Sequence, residues 1–205
     1  MGFGILFLGY IFTVFDTGIL FIDSISVVFM QGLRLFGWFL VTFGSFKLSR
    51  YISKFYPARI ASTSLFSISL ADSACHIATV YFDIPVPAFL RTLVFMTYAT
   101  SYFIFHFNAL KGLCDITADV GLEKENKRAK KLFVLSMSFC AVNFVAYIGL
   151  SDALTSIRYI LFLIITVLIS AFIYTCYMWI CLPDENEEDT DAPKKEKKKN
   201  GKGKE

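Results

Sequence analysis

The stretch Tyr159-Ile-Leu-Phe-Leu-Ile-Ile-Thr-Val-Leu-Ile-Ser-Ala-Phe-Ile-Tyr-Thr-Cys-Tyr-Met-Trp-Ile-Cys-Leu182 carries no charged side chain over 24 residues. About 20 mainly apolar residues suffice for a helix to cross the hydrocarbon of a bilayer, so this run reads as a membrane-spanning helix. Five further runs precede it, at Gly2–Ile22, Val27–Phe46, Ile60–Phe82, Ala88–Leu110 and Leu132–Leu150. The expected fold class is therefore all-α: a polytopic integral membrane bundle of six transmembrane helices spanning residues 1–182. The composition agrees, with 56% hydrophobic residues, 23 Phe, 10 Tyr and a mean hydropathy of +0.58, well above that of ordinary soluble domains. A β-barrel is not expected, because the runs are continuously apolar and lack period-two alternation. Helices satisfy their own backbone hydrogen bonds in lipid. A cleaved signal peptide is not expected either, since Met1 is followed by Gly-Phe-Gly with no basic segment and no small-residue cleavage site.

Charge supplies the orientation. Lys47, Arg50, Lys54 and Arg59 follow the second run, and Lys111, Lys124, Lys127, Arg128, Lys130 and Lys131 follow the fourth; seven more Lys lie beyond Pro183. The opposite side holds only Arg34, Arg91 and Arg158, a partition of 17 to 3. The positive-inside rule then places both termini in the cytoplasm of a multi-pass protein in the cell membrane. The outer connections are too short to hold a ligand-binding ectodomain.

Two cytoplasmic features stand out. Residues 111–131 read as a helical hairpin: the fourth helix continues past the membrane and stops near Gly121, and a second helical stretch leads from Glu123 into the fifth run. Glu123 and Lys127, four apart, support that stretch. Residues 183–205 change character to an acidic block followed by a lysine block and read as a disordered tail. Anionic lipid or a protein partner is expected at this loop and tail; no nucleic-acid fold accompanies the lysines, so nucleic acid is not expected. The cysteines Cys75, Cys114, Cys140, Cys176 and Cys181 avoid the outer loops and form no Cys-x-x-Cys pair, so neither disulfides nor a metal site are expected.

Ionisable groups inside the bilayer are the candidate functional residues, since each is costly unless it faces the interior and has a partner. Asp72 is the clearest, near the middle of the third run, with Ser69 and His76 on the same helical face. Tyr98 on the antiparallel fourth helix falls at a similar depth. Asp72, His76, Ser69 and Tyr98 therefore form a candidate intramembrane polar or proton site, against the plainer reading that Asp72 fixes helix packing. Asp16 and Arg34, each about six residues from the outer end of its helix, form a candidate intramembrane ion pair. No catalytic residue and no cofactor is expected: the chain has no Gly-x-Ser-x-Gly, His-Glu-x-x-His or glycine-rich phosphate loop, and only two histidines, His76 and His106.

The segments Gly2-Phe-Gly-Ile-Leu-Phe-Leu-Gly-Tyr-Ile-Phe-Thr13, Leu33-Arg-Leu-Phe-Gly37 and Ala118-Asp-Val-Gly-Leu122 resemble a group of small multi-pass membrane proteins of clostridia-like Gram-positive bacteria. The likeness covers most of the apolar region and not the charged tail. It implies a bacterial plasma membrane location and carries over no catalytic residue. The expected role is that of a non-enzymatic membrane component acting through its cytoplasmic loops; a small proton-linked transporter using Asp72 and His76 is the alternative, and a membrane-embedded enzyme the third reading.

Overall fold

A computed structural model describes residues 2–13, 24–149 and 152–180. Among these residues the secondary structure is helical throughout, with no strand: α1 Gly2–Thr13, α2 Ser24–Leu48, α3 Phe55–Phe82, α4 Ala88–Asp119, α5 Glu123–Gly149 and α6 Asp152–Trp179. Two helices, Ala88–Asp119 and Ile160–Trp179, are long and apolar enough to cross a membrane. The other long helices mix polar groups into their apolar length: Arg34 and Lys47 in α2, a serine-rich α3 with Arg59 and Asp72, and a charged opening to α5.

Local chemistry ends the helices where they end. At α4, Gly121 takes φ 76°, the Leu122 N–H reaches Thr117 O at 2.9 Å and the Gly121 N–H reaches Ala118 O at 3.0 Å. This pair of bonds is the Schellman cap, which needs a left-handed residue that glycine adopts without a Cβ penalty. At α3 the cap is Asp83, left-handed at φ 50°, with its N–H on Ala78 O. Pro85 and Pro87 follow; neither has an N–H to continue the ladder, and Pro87 flanks the start of α4.

Each helix packs against its neighbours in the chain, and α6 packs back against α1. The six helices thus form a closed ring. The α1–α2 contact depends on glycine. A Cβ on Gly9 would lie 2.6 Å from Val41 N; one on Gly37 would lie 2.8 Å from Thr13 N, and one on Gly44 would lie 2.8 Å from Leu6 N. Backbone therefore lies on backbone, the close approach small residues permit. On α1, Phe7 packs on Tyr174 of α6 with ring centroids 5.2 Å apart.

The helix ends sort by charge. Gly2 abuts Leu48, Gly4 abuts Tyr177, and Gly112 abuts Phe55 and Lys54, which gathers the start of α1, the α2–α3 turn, the last turns of α4 and the end of α6 at one end of the bundle. Lys47, Arg50, Arg59 and Lys111 stand there, each over an aromatic ring: Lys47 on Phe43, Arg50 and Arg59 on Phe46, Lys111 on Phe107. Inside the ring, Ser45, Ser62, Ser69, Ser136 and Thr117 are buried, whereas Phe36, Phe39, Phe43, Phe46, Val134 and Ile164 are exposed.

Candidate functional site

The seam between α2 and α3 holds the main polar cluster. Arg34 is 8% exposed, and its Nη2 donates to Asp72 Oδ2 at 2.9 Å, to Ser73 Oγ at 3.0 Å and to Ser69 O at 3.1 Å. One nitrogen has two hydrogens for these three oxygens, so at least one bond is shared. Ser73 in turn has Gln31 Oε1 at 3.0 Å and Ser69 O at 2.8 Å as acceptors for its single proton. Gln31 and Arg34 are three apart on α2, and Ser69, Asp72 and Ser73 span one turn of α3, so the cluster follows from antiparallel packing of two polar faces. The carboxylate side is more open than the guanidinium side: the side chains are 46% and 10% exposed respectively.

The candidate residues read from the sequence separate here. Asp72 and Ser69 belong to the cluster, Ser69 through its backbone carbonyl; its hydroxyl is buried with no partner among the described residues. His76, one turn on, is exposed and makes no hydrogen bond among the described residues. Tyr98 lies deeper in the ring, its centroid 6.3 Å from that of Trp38 and 6.2 Å from that of Tyr102. Asp16, the partner expected for Arg34, lies outside the described residues, as does the tail from residue 181. The described partner of Arg34 is Asp72. Glu123 and Lys127 form no described ion pair; that turn holds Glu125 and Arg128 instead, 3.8 Å apart.

A second cluster fills the ring's interior. Trp38, one turn along α2 from Arg34, packs edge-on to Tyr98, Tyr102 and Phe105 of α4. His106 is 1% exposed, with Nδ1 2.9 Å from Tyr102 O and Nε2 3.1 Å from the Tyr10 hydroxyl. A carbonyl can only accept, so Nδ1 carries a proton; in the neutral ring Nε2 then accepts from Tyr10. Both ring nitrogens are thus engaged, one within α4 and one across to α1. This arrangement orients the imidazole and leaves it no lone pair for a substrate or a metal. No group of three or more His, Cys, Asp or Glu among the described residues is placed to hold a metal ion.

Reasoning from sequence missed Gln31, Ser73, Trp38, Tyr10 and His106. Spacing held part of the signal: Tyr98, Tyr102 and His106 recur every four residues, which puts them on one face of α4. Gly2 with Gly9 and Gly37 with Gly44 are each seven apart, which marks the facing stripes of α1 and α2.

At the tip of the α4–α5 hairpin, Asn126 is 9% exposed. Its Nδ2 donates to Cys114 O at 2.6 Å and to Thr117 Oγ1 at 3.2 Å. The side chain that opens α5 therefore ties it to the last turns of α4.

Compared with known proteins, the chain matches no family model, no curated protein and no solved structure.

Proposed function

We propose that this chain is a six-span integral protein of the cell membrane, with its basic helix ends and both termini in the cytoplasm, that acts as a non-enzymatic component of a membrane assembly. The distribution of side chains supports the membrane reading: large apolar residues such as Phe36, Phe39, Val134 and Ile164 face outward along the bundle, while serines and Arg34 lie among the apolar residues within, as expected when the solvent is hydrocarbon. The aromatic rings beneath Lys47, Arg50, Arg59 and Lys111 suit an interface where cations reach the headgroups and rings remain in the apolar layer. Compartment reporters fused at Pro85 and after Leu182 should report opposite sides. The same side for both sinks the six-span topology.

Within that reading, the observation that carries the assembly role is the tie between Asn126 and α4. The tie stiffens a hairpin that presents Asp115, Asp119, Val120, Glu123, Lys124 and Lys127, all exposed, as a surface with an acidic side followed by a basic one, held in one shape. The partner it suits is a cytoplasmic or membrane-bound protein face of complementary charge. Co-purification from native membranes tests this with the full chain and two variants, Asn126→Ala and the charge exchange Asp119→Lys with Lys127→Glu. The expected outcome is one stoichiometric partner that both variants lose; equal recovery from all three overturns the reading.

A proton-linked transporter is the second reading, favoured by the Arg34–Asp72–Ser73–Gln31 cluster in an apolar segment. Asp72→Asn should abolish pH-driven flux in proteoliposomes. Unchanged flux in that variant removes this reading.

A further inference from the structure

We propose that the acidic block Asp184-Glu-Asn-Glu-Glu-Asp-Thr-Asp191 of this chain docks on a basic face at the start of α5, formed by Lys124, Lys127, Arg128 and Lys131. So placed, it covers part of the hairpin surface and competes with any partner there. That consequence rests on the hairpin reading above; the contact itself does not.

The end of α6 sets the geometry. α6 packs against α5, and Cys176, 2% exposed, lies within electrostatic range of Glu125 and Arg128 in the first two turns of α5. Ile180 stands one turn beyond Cys176, its N–H on Cys176 O at 2.9 Å. The described chain therefore ends beside the opening of α5. Asp184 follows four residues later, a reach of at most about 14 Å, and neighbouring helices stand about 8–10 Å apart. The block is thus within reach of α5 without crossing another helix. Its eight residues are long enough to run the two turns from Lys124 to Lys131.

The face on α5 has the matching sign. On a helical wheel Lys124, Lys127, Arg128 and Lys131 fall within an arc of about 100°, and all four are exposed. Glu123 and Glu125 lie on either side of that arc. Arg128 Nη1 stands 3.8 Å from Glu125 Oε2, longer than a hydrogen bond, and a guanidinium has further N–H groups to donate. Arg128 is also the edge of the face nearest α6, so the cations look toward the side from which the block arrives. Six of the eight residues from Asp184 to Asp191 are acids. Across a short tether such a segment meets its counter-charges at an effective concentration in the millimolar range, which a separate anionic molecule must match. The lysines from Lys194 onward have the wrong sign for this face, which leaves the acidic block as its occupant. Lys124 and Lys127 belong to the hairpin surface, so the docked block and a protein partner exclude each other.

The test is carbodiimide cross-linking of the full chain in detergent, which joins a carboxylate to an amine in direct contact, with the products mapped by mass spectrometry. Links from residues 184–191 to Lys124, Lys127 and Lys131 are expected. Their yield should fall several-fold between about 0.1 M and 1 M salt, as the screening length drops from about 10 Å to 3 Å. Lys127→Gln with Arg128→Gln should lower the links to Lys124 and Lys131 several-fold, whereas Lys47→Gln with Lys54→Gln, on the α2–α3 turn, should leave them as in the parent chain. Links confined to the lysines beyond Lys194, links to Lys47 or Lys54 in place of α5, or a yield indifferent to salt overturns the proposal. In a mixture of unlabelled and isotope-labelled chains the links should stay within one chain; links between labels would overturn docking within the chain and assign the block to a second copy. Asp184→Asn, Glu185→Gln, Glu187→Gln, Glu188→Gln, Asp189→Asn and Asp191→Asn together should raise recovery of the hairpin partner several-fold, and unchanged recovery overturns the competition. A chain that keeps its partner yet shows no such links loses the tail contact alone. A chain that shows the links yet recovers no partner, with or without the acids, loses the hairpin reading alone.

Discussion

Arg34 Nη2 and Asp72 Oδ2 meet at 2.9 Å across the α2–α3 seam, the guanidinium nearly buried and the carboxylate half-exposed. The asymmetry sets what each loss does. Removing the carboxylate takes from a buried cation the anion described beside it, whereas removing both charges leaves two faces that apolar side chains can fill.

Asp72→Asn is accordingly expected to destabilise the chain by about 2–3 kcal/mol, and Arg34→Met combined with Asp72→Leu to recover most of that loss. Denaturant titration in mixed micelles of Arg34→Met, Asp72→Leu and the two combined, read as a double-mutant cycle, measures the coupling. Additive single and double variants would show that the pair does not brace the seam.

Glycines that look alike in sequence should respond oppositely to the same change. Gly9→Ala places a methyl 2.6 Å from Val41 N and 2.7 Å from Val41 Cγ2, so α1 and α2 must separate; a loss of about 2 kcal/mol or more follows from overpacking against backbone. Gly32 also lies within α2 and has nothing within 4 Å of its Cβ position, so Gly32→Ala should gain about 0.5–1 kcal/mol through helix propensity. Midpoints of thermal unfolding in one detergent check both signs together.

Gly121 gives a third outcome. It too has open space around it, but its φ of 76° is unfavourable for any residue with a Cβ. Gly121→Ala should cost about 1 kcal/mol and Gly121→Asn less, because asparagine tolerates the left-handed region. Identical midpoints for the two variants would contradict the assignment of strain.

Tyr10→Phe keeps the ring in the interior and deletes only the hydroxyl that meets His106 Nε2. A buried acceptor then lacks its donor, at a cost of about 1–3 kcal/mol. His106→Phe, which removes the ring nitrogens but keeps an aromatic of similar size against Tyr102 and Phe105, should cost no more when combined with Tyr10→Phe than either change alone. The measurement is again the midpoint of unfolding, with near-ultraviolet circular dichroism to report the packing around Trp38.

Hydrogen exchange reads the hairpin directly. Asn126→Ala removes both bonds that tie α5 to α4, so amides of residues 115–128 should exchange faster while those of the aromatic interior stay protected. Unchanged protection of the hairpin would mean that the Schellman cap at Gly121 holds it without help.

Helix breaks were readable in the chain because they obey local rules. Asp83 before Pro85 and Pro87, and Gly121 before a charged turn, end helices whatever surrounds them. The candidate site was readable by halves. Asp72 and Arg34 stood out because each is a charge in an apolar run, but depth from the helix ends did not show that the two meet; Asp16, the expected partner of Arg34, lies outside the described residues. Ser73 and Gln31 did not stand out at all, since a neutral polar residue in an apolar run is too common to mark a site.

The sequence by itself determined that the described residues are helical, where α3 and α4 stop, and that its cations fall on alternate connections, because these depend on apolar length, proline, glycine and charge within short windows. Only the tertiary structure decided that Arg34 meets Asp72, that Gly9 seats against Val41, that Tyr10 reaches His106, and that α6 closes the ring on α1. A helical wheel says which residues share a face. It does not say which helix stands opposite that face, and that choice is made by the packing of all six helices at once.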